Sequence, residues 1–242
     1  KPISVNEQNE HTTIEEYSEF LRKKTYMLAN PFEKESNFLP TPTLKIPKSP
    51  KTIVTAANQD KMIKEVDALR STDYRLLQSK NYEVFLAGAK KIPNILHEIG
   101  RLREITFREV GEGTNESIDL DKHDQYYHHL FLWDNEANKI AGAYRMGLGS
   151  EIYPKYGING FYLNDLFRFE PELHDMMHKS IEMGRAFIIK EYQQKPMPLF
   201  LLWKGIMHTT LRYPEHKFLL GGVSISNQFS DFSKSLMIEF MK

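Results

Sequence analysis

In "SIEMGRAFII", residues 180 to 189, a carboxylate (Glu182) and a guanidinium (Arg185) stand three positions apart in an apolar run, with Gly184 between them. A carboxylate can accept a proton and a guanidinium can grip an anion, so the pair is either chemistry or a surface ion pair. On a helix face it would be the latter, worth a few tenths of a kcal/mol. The composition speaks against a helix: Phe187, Ile188 and Ile189 favour a strand, and glycine is costly inside a helix. In a regular strand, residues three apart point to opposite faces. A bulge at Gly184 would cancel that mismatch, bring both groups to one side and leave a backbone N–H unpaired beside them.

A second concentration lies upstream. "SIDLDKHDQYYHH" gathers Asp119, Asp121, Asp124, His123, His128 and His129 within eleven residues. Calcium does not fit, because an EF-hand loop requires glycine at its sixth position and glutamate at its twelfth, where Asp124 and Leu130 stand. Zinc fits no better, with no cysteine and no paired histidines on one helix face. No metal site is expected. A solvated loop whose acids cap turns or pair with bases is the simpler reading, and Arg145 in the following "AYRMG" is a candidate partner that a hairpin could bring close.

Phosphate-cradling loops are absent. "GLG" at 147 to 149 lacks the third glycine and following helix of a dinucleotide fingerprint, and no Walker sequence occurs. Ser224 and Ser226 in "GGVSIS" do not form a G-x-S-x-G elbow.

The elements that must position these groups follow from periodicity. Residues 14 to 28 read as an amphipathic helix, and Pro31, Pro40, Pro42, Pro47 and Pro50 mark a semi-rigid linker. Then come a helix at 59 to 70, a strand at 82 to 88, and a helix opened by Pro93 and running to about Val110. "YYHHLFLWD" and "KIAGAYRMG", joined by "NEAN", read as a hairpin. A short helix around 163 to 169 and the opening stretch follow. A helix starting just after Pro198 should put Leu199, Leu202, Trp203, Ile206 and Leu211 on one face, with Trp133 and Trp203 in the core. The strand "KFLLGGVSI" and a helix from about Ser230 close the chain. The order describes a mixed α/β fold whose central sheet is antiparallel and flanked by helices.

The 242 residues carry as many acids as bases, which gives no global attraction to nucleic acid or anionic lipid. The absence of cysteine is compatible with a reducing compartment. No run approaches the roughly 20 apolar residues of a membrane span. The opening "KPISVNEQNEH" has neither an initiator Met nor a signal sequence, and a fragment of something longer is expected.

The order of elements and the motifs "EIGRLREITFR" (98 to 108), the loop with Asp121 and Asp124, "HHLFLWD", "AGAYRMG" and "EMGRAFIIKEYQ" together resemble the Gcn5-related N-acyltransferase fold. Within it they are similar to the branch of acyl-homoserine-lactone synthases and of the N-acyltransferases of ornithine and glycine lipid synthesis. The resemblance covers residues 58 to 242 and is closest to hemolysin-like proteins that carry an O-acyltransferase domain ahead of the N-acyltransferase. It implies that residues 1–30 are the tail of such a preceding domain, 31–57 a linker and 58–242 the N-acyltransferase-like domain. The family's pyrophosphate loop for acetyl-coenzyme A is missing. That implies acyl carrier protein as partner and donor, its acyl-phosphopantetheine arm lying along Ala186 and Phe187 where strands splay, with no permanently bound cofactor. Glu182, Gly184 and Arg185 would then be catalytic, Glu182 as proton acceptor. Arg145, Asp121, Asp124 and His129 would bind the acceptor or hold the site, and glycine or ornithine is the acceptor expected for aminolipid synthesis. The implied setting is cytoplasmic, with peripheral contact at the inner membrane face allowed for. The competing reading is a non-catalytic module that binds acyl carrier protein or a membrane surface.

Overall fold

The computed structural model of the chain describes residues 13–28, 49–225 and 229–241. The chain divides into two compact units, Pro47–Gly222 and a smaller one formed by Lys1–Ile46 with Val223–Lys242. In the smaller unit, helix α1 (Ile14–Leu28) begins with reciprocal hydrogen bonds between Thr13 and Glu16. Most of the proline-rich stretch, residues 29 to 48, lies outside the described residues. Residues 51 to 57 run extended beside the 115–117 loop, with Lys51 N donating to Asn115 O and Val54 N to Ser117 O.

The larger unit opens with α2 (Gln59–Arg70), whose Asn58 side chain caps Lys61 N as a good N-cap should. Then come β1 (Arg75–Ser79) and β2 (Tyr82–Gly88), followed by α3 (Pro93–Glu109), with proline at its first position. The hairpin β3 (His128–Asp134) and β4 (Lys139–Leu148) leads into three short helices, α4 (Gly149–Tyr156), α5 (Leu163–Leu166) and α6 (His174–His178). Strand β5 (Ser180–Ile188), α7 (Lys190–Gln193), α8 (Pro196–Arg212) and β6 (Phe218–Gly221) complete it. Helix α9 (Asp231–Phe240), capped by Ser230, belongs to the smaller unit.

Six strands pair in sequence order, β1 to β6, all antiparallel except the last pair. Alternation along β2 to β5 sorts the side chains. Val84, Leu86, Leu130, Leu132 and Tyr144 share one face, whereas Phe85, Phe131, His129, Arg145 and Glu182 share the other. Helix α8 packs on the first face so closely that a Cβ at Gly205 would lie 2.8 Å from Val84. Helix α3 crosses β4 and β5. The core between them takes Ile95, Ile99, Phe131, Leu132, Ile140, Leu201 and Leu202, all at most 1% exposed.

Several expectations need correction. Helix α8 starts at Pro196, and the face it buries is Pro198, Leu201, Leu202, Gly205, Ile206 and Thr209. Leu199, Trp203 and Leu211 point outward at 49%, 61% and 75% exposure, so Trp203 is no core residue, while Trp133 is. The periodicity of α8 is ambiguous because apolar residues cover both of its sides, and only the sheet chooses between them. The helix expected at 163 to 169 stops at Leu166, and the last strand spans only Phe218–Gly221. A helix does follow "GLG", although no third glycine does. Strand β1 and helices α4, α6 and α7 are too short to show a period.

Candidate active site

Strand β5 carries the bulge. Arg145 pairs with Gly184 and Ala143 with Phe187, so Arg185 and Ala186 together oppose Tyr144. The irregularity is one residue beyond the expected position: Arg185, not Gly184, takes a left-handed backbone at φ 51°. Such a φ costs a non-glycine residue about 1–2 kcal/mol and turns the Arg185 side chain away from its regular side. Gly184 stays in the ladder, on the face of Arg145 and Glu182, and a Cβ there would meet nothing within 4 Å. Strand β6 pairs with β5 only as far as Met183 and Gly221, so from Gly184 onward β5 has β4 as its sole strand partner among the described residues.

The three aspartates meet three arginines. Asp121 accepts from Arg145 Nη1 at 2.7 Å, and Asp124 accepts from Arg103 Nη2 at 2.9 Å and from Arg145 Nη1 at 3.3 Å. Asp119 accepts from Arg103 Nε at 2.9 Å. Arg145 therefore pairs with both Asp121 and Asp124, the partnership the hairpin allowed. The acids cap as well: Asp121 Oδ1 accepts from His123 N and Asp124 N, and Asp124 Oδ2 accepts from Asp121 N. Burial alone would raise the Asp121 carboxyl, but the Arg145 guanidinium outweighs it and holds the group far below the usual carboxylate range. The same opposition, with Arg103 as the main cation, lowers Asp124.

Arg185 is the loosest member. Its Nη1 lies 3.4 Å from Asp119 Oδ2 and its Nη2 3.9 Å from Asp121 Oδ2, and its side chain is 19% exposed. Arg145 and Arg185 both lie over the Tyr162 ring. Among the described residues, Arg145 Nη2 and Arg185 Nε are buried donors without an acceptor.

Glu182, 2% exposed, lies on the same sheet face as Arg145. Its carboxylate accepts from Tyr127 Oη at 2.7 Å, Tyr162 N at 3.1 Å and Leu163 N at 2.9 Å. Burial raises its pKa, and these donors restrain the rise. The resemblance implied a proton acceptor here; the fold surrounds the carboxylate with three protein donors. His129 is wholly buried beneath the ion cluster, with Nε2 donating to Asp124 O at 3.0 Å, and burial pushes its imidazole down to about 4. Ala186 and Phe187 line a cavity of about 310 Å³ bounded by Thr106, Phe107, Tyr144 and Leu199, between the C-terminal end of α3 and the start of α8.

The "GLG" glycines have a steric explanation. Gly147 stands opposite Glu182, and a Cβ there would come within 2.5 Å of the Tyr127 ring. A Cβ at Gly149 would come within 2.3 Å of Met177 O. The residues that sequence reading missed are Arg103, Tyr127 and Tyr162. For Arg103 a signal existed: it falls four positions after Ile99 on the apolar face of α3, where an arginine must find buried carboxylates.

Residues 102–203 match the acetyltransferase (GNAT) domain family. The chain is 30% identical over 179 residues to a glycine N(alpha)-acyltransferase of Bacteroides thetaiotaomicron, covering 69% of this chain and 53% of that protein. It is also 30% identical over 178 residues to a protein of the same name from Phocaeicola vulgatus, covering 69% and 55%. The chain thus spans about half the length of these curated relatives. No solved structure matches. The six-stranded mixed sheet flanked by helices and the match of residues 102–203 lead to one conclusion: this chain carries a GNAT-fold domain.

Proposed function

We propose that the chain is an N-acyltransferase that moves a long acyl chain, 3-hydroxylated or not, from acyl carrier protein to the amino group of glycine, with ornithine as the alternative acceptor, in aminolipid synthesis. The observation that carries the reading is Arg185: it stands at the bulge with a left-handed backbone, it keeps a buried donor without an acceptor among the described residues, and its contact with Asp119 is long. A guanidinium so placed can exchange that contact for the carboxylate of a small amino acid. Both relatives are named for glycine as acceptor.

In this reading the acceptor amine, as the free base, attacks the thioester carbonyl. The C–N bond forms, the C–S bond breaks, the amine loses a proton to water and the departing sulfur gains one. A main-chain N–H at the Arg185–Ala186 bulge holds the developing oxyanion, a contribution of roughly 3 kcal/mol for one donor. The pantetheine arm enters where β5 and β6 separate and runs past Ala186 and Phe187. Glu182 acts by holding Tyr162, against which both arginines lie. Asp121, Asp124 and Arg145 form the rigid floor, and His129 supports it from below.

The test is incubation of the chain with 3-hydroxyacyl carrier protein and glycine or ornithine, read by mass spectrometry. An N-acyl amino acid together with free carrier thiol is the expected product. Absence of N-acyl product from folded protein, with an active relative as positive control, overturns the reading.

A further inference from the structure

We infer that the outer face of α8 is a docking surface for an anionic lipid bilayer. Pro196, Leu199, Trp203, Met207 and Leu211 follow one another at three- and four-residue intervals with Phe200 beside Leu199, and the last four and Phe200 are 49% to 75% exposed. Over the 17 residues of α8 they make an apolar stripe about 25 Å long. The helix cannot roll to hide it. Leu201, Leu202 and Ile206 are already buried on the opposite side, and Gly205 sits too close to Val84 and Leu130 to allow a shift.

Charge decides the kind of partner. Between Glu191 and Glu215 there is no acidic residue, whereas Lys195, Lys204 and Arg212 lie in that interval with His208. Lys204 lines the apolar groove and has no carboxylate partner among the described residues. The whole chain is neutral, so this is a local asymmetry. Arg212 is paired with the exposed Asp73 at the far end of the helix, and Glu112 lies in the cavity beyond Leu199, but the groove itself is lined by Lys204 and by no acid. An aromatic and aliphatic face with a cation at its centre fits the headgroup and acyl boundary of an anionic membrane. An acidic carrier protein would be met by paired cations, not by a stripe whose centre is Phe200 and Trp203. A second copy packed on the stripe would set these cations against each other.

The stripe also adjoins the candidate site. Leu199 lines both this groove and the cavity at the bulge, so the end of α8 nearest the bilayer would be the end nearest the departing acyl product. The inference goes beyond the proposed reaction, and bilayer binding can be measured without it.

The chain has two tryptophans, Trp133 at 1% exposure and Trp203 at 61%, so it carries its own reporter. Vesicles of phosphatidylglycerol and phosphatidylcholine should shift Trp203 emission to the blue, and brominated lipid should quench it while Trp133 is unaffected. The double substitution Phe200→Glu with Met207→Glu, both at exposed positions, should weaken vesicle binding at least tenfold without altering circular dichroism or acyl transfer from soluble carrier. The inference is overturned by the absence of a shift at low salt, by equal binding of the variant, or by equal binding to purely phosphatidylcholine vesicles. A Trp203 shift produced by self-association or by acyl carrier protein without lipid also overturns it. Loss of N-acyl product with vesicle binding intact would sink the proposed reaction alone.

Discussion

Arg145 and Arg185 hold their guanidinium carbons 4.9 and 5.2 Å from the centroid of the same ring, Tyr162. One cation is fixed by two aspartates at its Nη1, and the other is held by longer contacts. In the proposed reaction the fixed cation belongs to the floor of the site and the loose one is the part that meets the ligand.

Arg185→Gly separates backbone from side chain. Glycine adopts φ 51° without strain, so the variant should unfold in urea at a stability equal to the parent or about 1 kcal/mol above it. Acyl transfer should fall at least 100-fold, chiefly through a higher KM for the amino acid, because the clamp is gone. A variant that keeps its KM places the acceptor elsewhere.

Glu182→Gln keeps one acceptor oxygen where three donors converge and turns an NH2 group toward backbone N–H groups. The expected loss is about 1–3 kcal/mol of stability. As a positioning residue, Glu182 should leave the shape of the pH profile of kcat/KM unchanged while KM rises. Disappearance of the acidic limb in the variant would restore the role of proton acceptor.

Gly147→Ala tests the support of Tyr127. The added methyl must displace the ring that bonds Glu182, which should cost about 1–3 kcal/mol and raise KM in the same direction as Glu182→Gln. Thermal unfolding of both single variants and of the double variant measures the coupling, and strict additivity would argue against a shared path through Tyr127.

His129 gives a pH signature. Its folded pKa, about 4, lies below the unfolded value near 6.5, so the unfolded chain binds the extra proton. Its contribution is complete above pH 6.5 and is lost as pH falls toward 4, to the extent of about 2 kcal/mol by pH 4.5. His129→Gln, which can still donate to Asp124 O, should flatten that slope between pH 6.5 and 4.5 in urea titrations. The depressed aspartates act in the same direction but at lower pH, below about 3.8, where their unfolded forms begin to protonate. An unchanged slope in the variant would mean that His129 is not the group responsible.

Much of the frame was legible because long elements carry a period. The 59–70 and 82–88 boundaries, the proline-opened α3 and the β3–β4 hairpin all follow from alternation or capping. The pattern "EMGR" in an apolar run indicated a bulged strand, since Glu182 and Arg185 could share a face in no other way. Which residue would bulge was not legible. Glycine is the residue that takes a positive φ at least cost, yet here Arg185 takes it, because the pairing of Gly184 with Arg145 and of Phe187 with Ala143 leaves the extra residue between them. Likewise α8 is apolar on both sides, and only contact with Val84 and Leu130 decides which side is buried.

The sequence by itself determined the order of the longer helices and strands, the strand nature of 180–188 and the chemical types available: three aspartates, the arginines and one carboxylate two positions before a glycine. The tertiary structure decided who meets whom. Arg103 and Arg145, from α3 and β4, share Asp124; Tyr127 and the 162–163 backbone occupy Glu182; and Arg185 keeps an uncommitted donor. The reason is physical. Propensity and period act within a few residues, whereas the partner of a buried charge is chosen by the folded chain, which must satisfy every such charge at once.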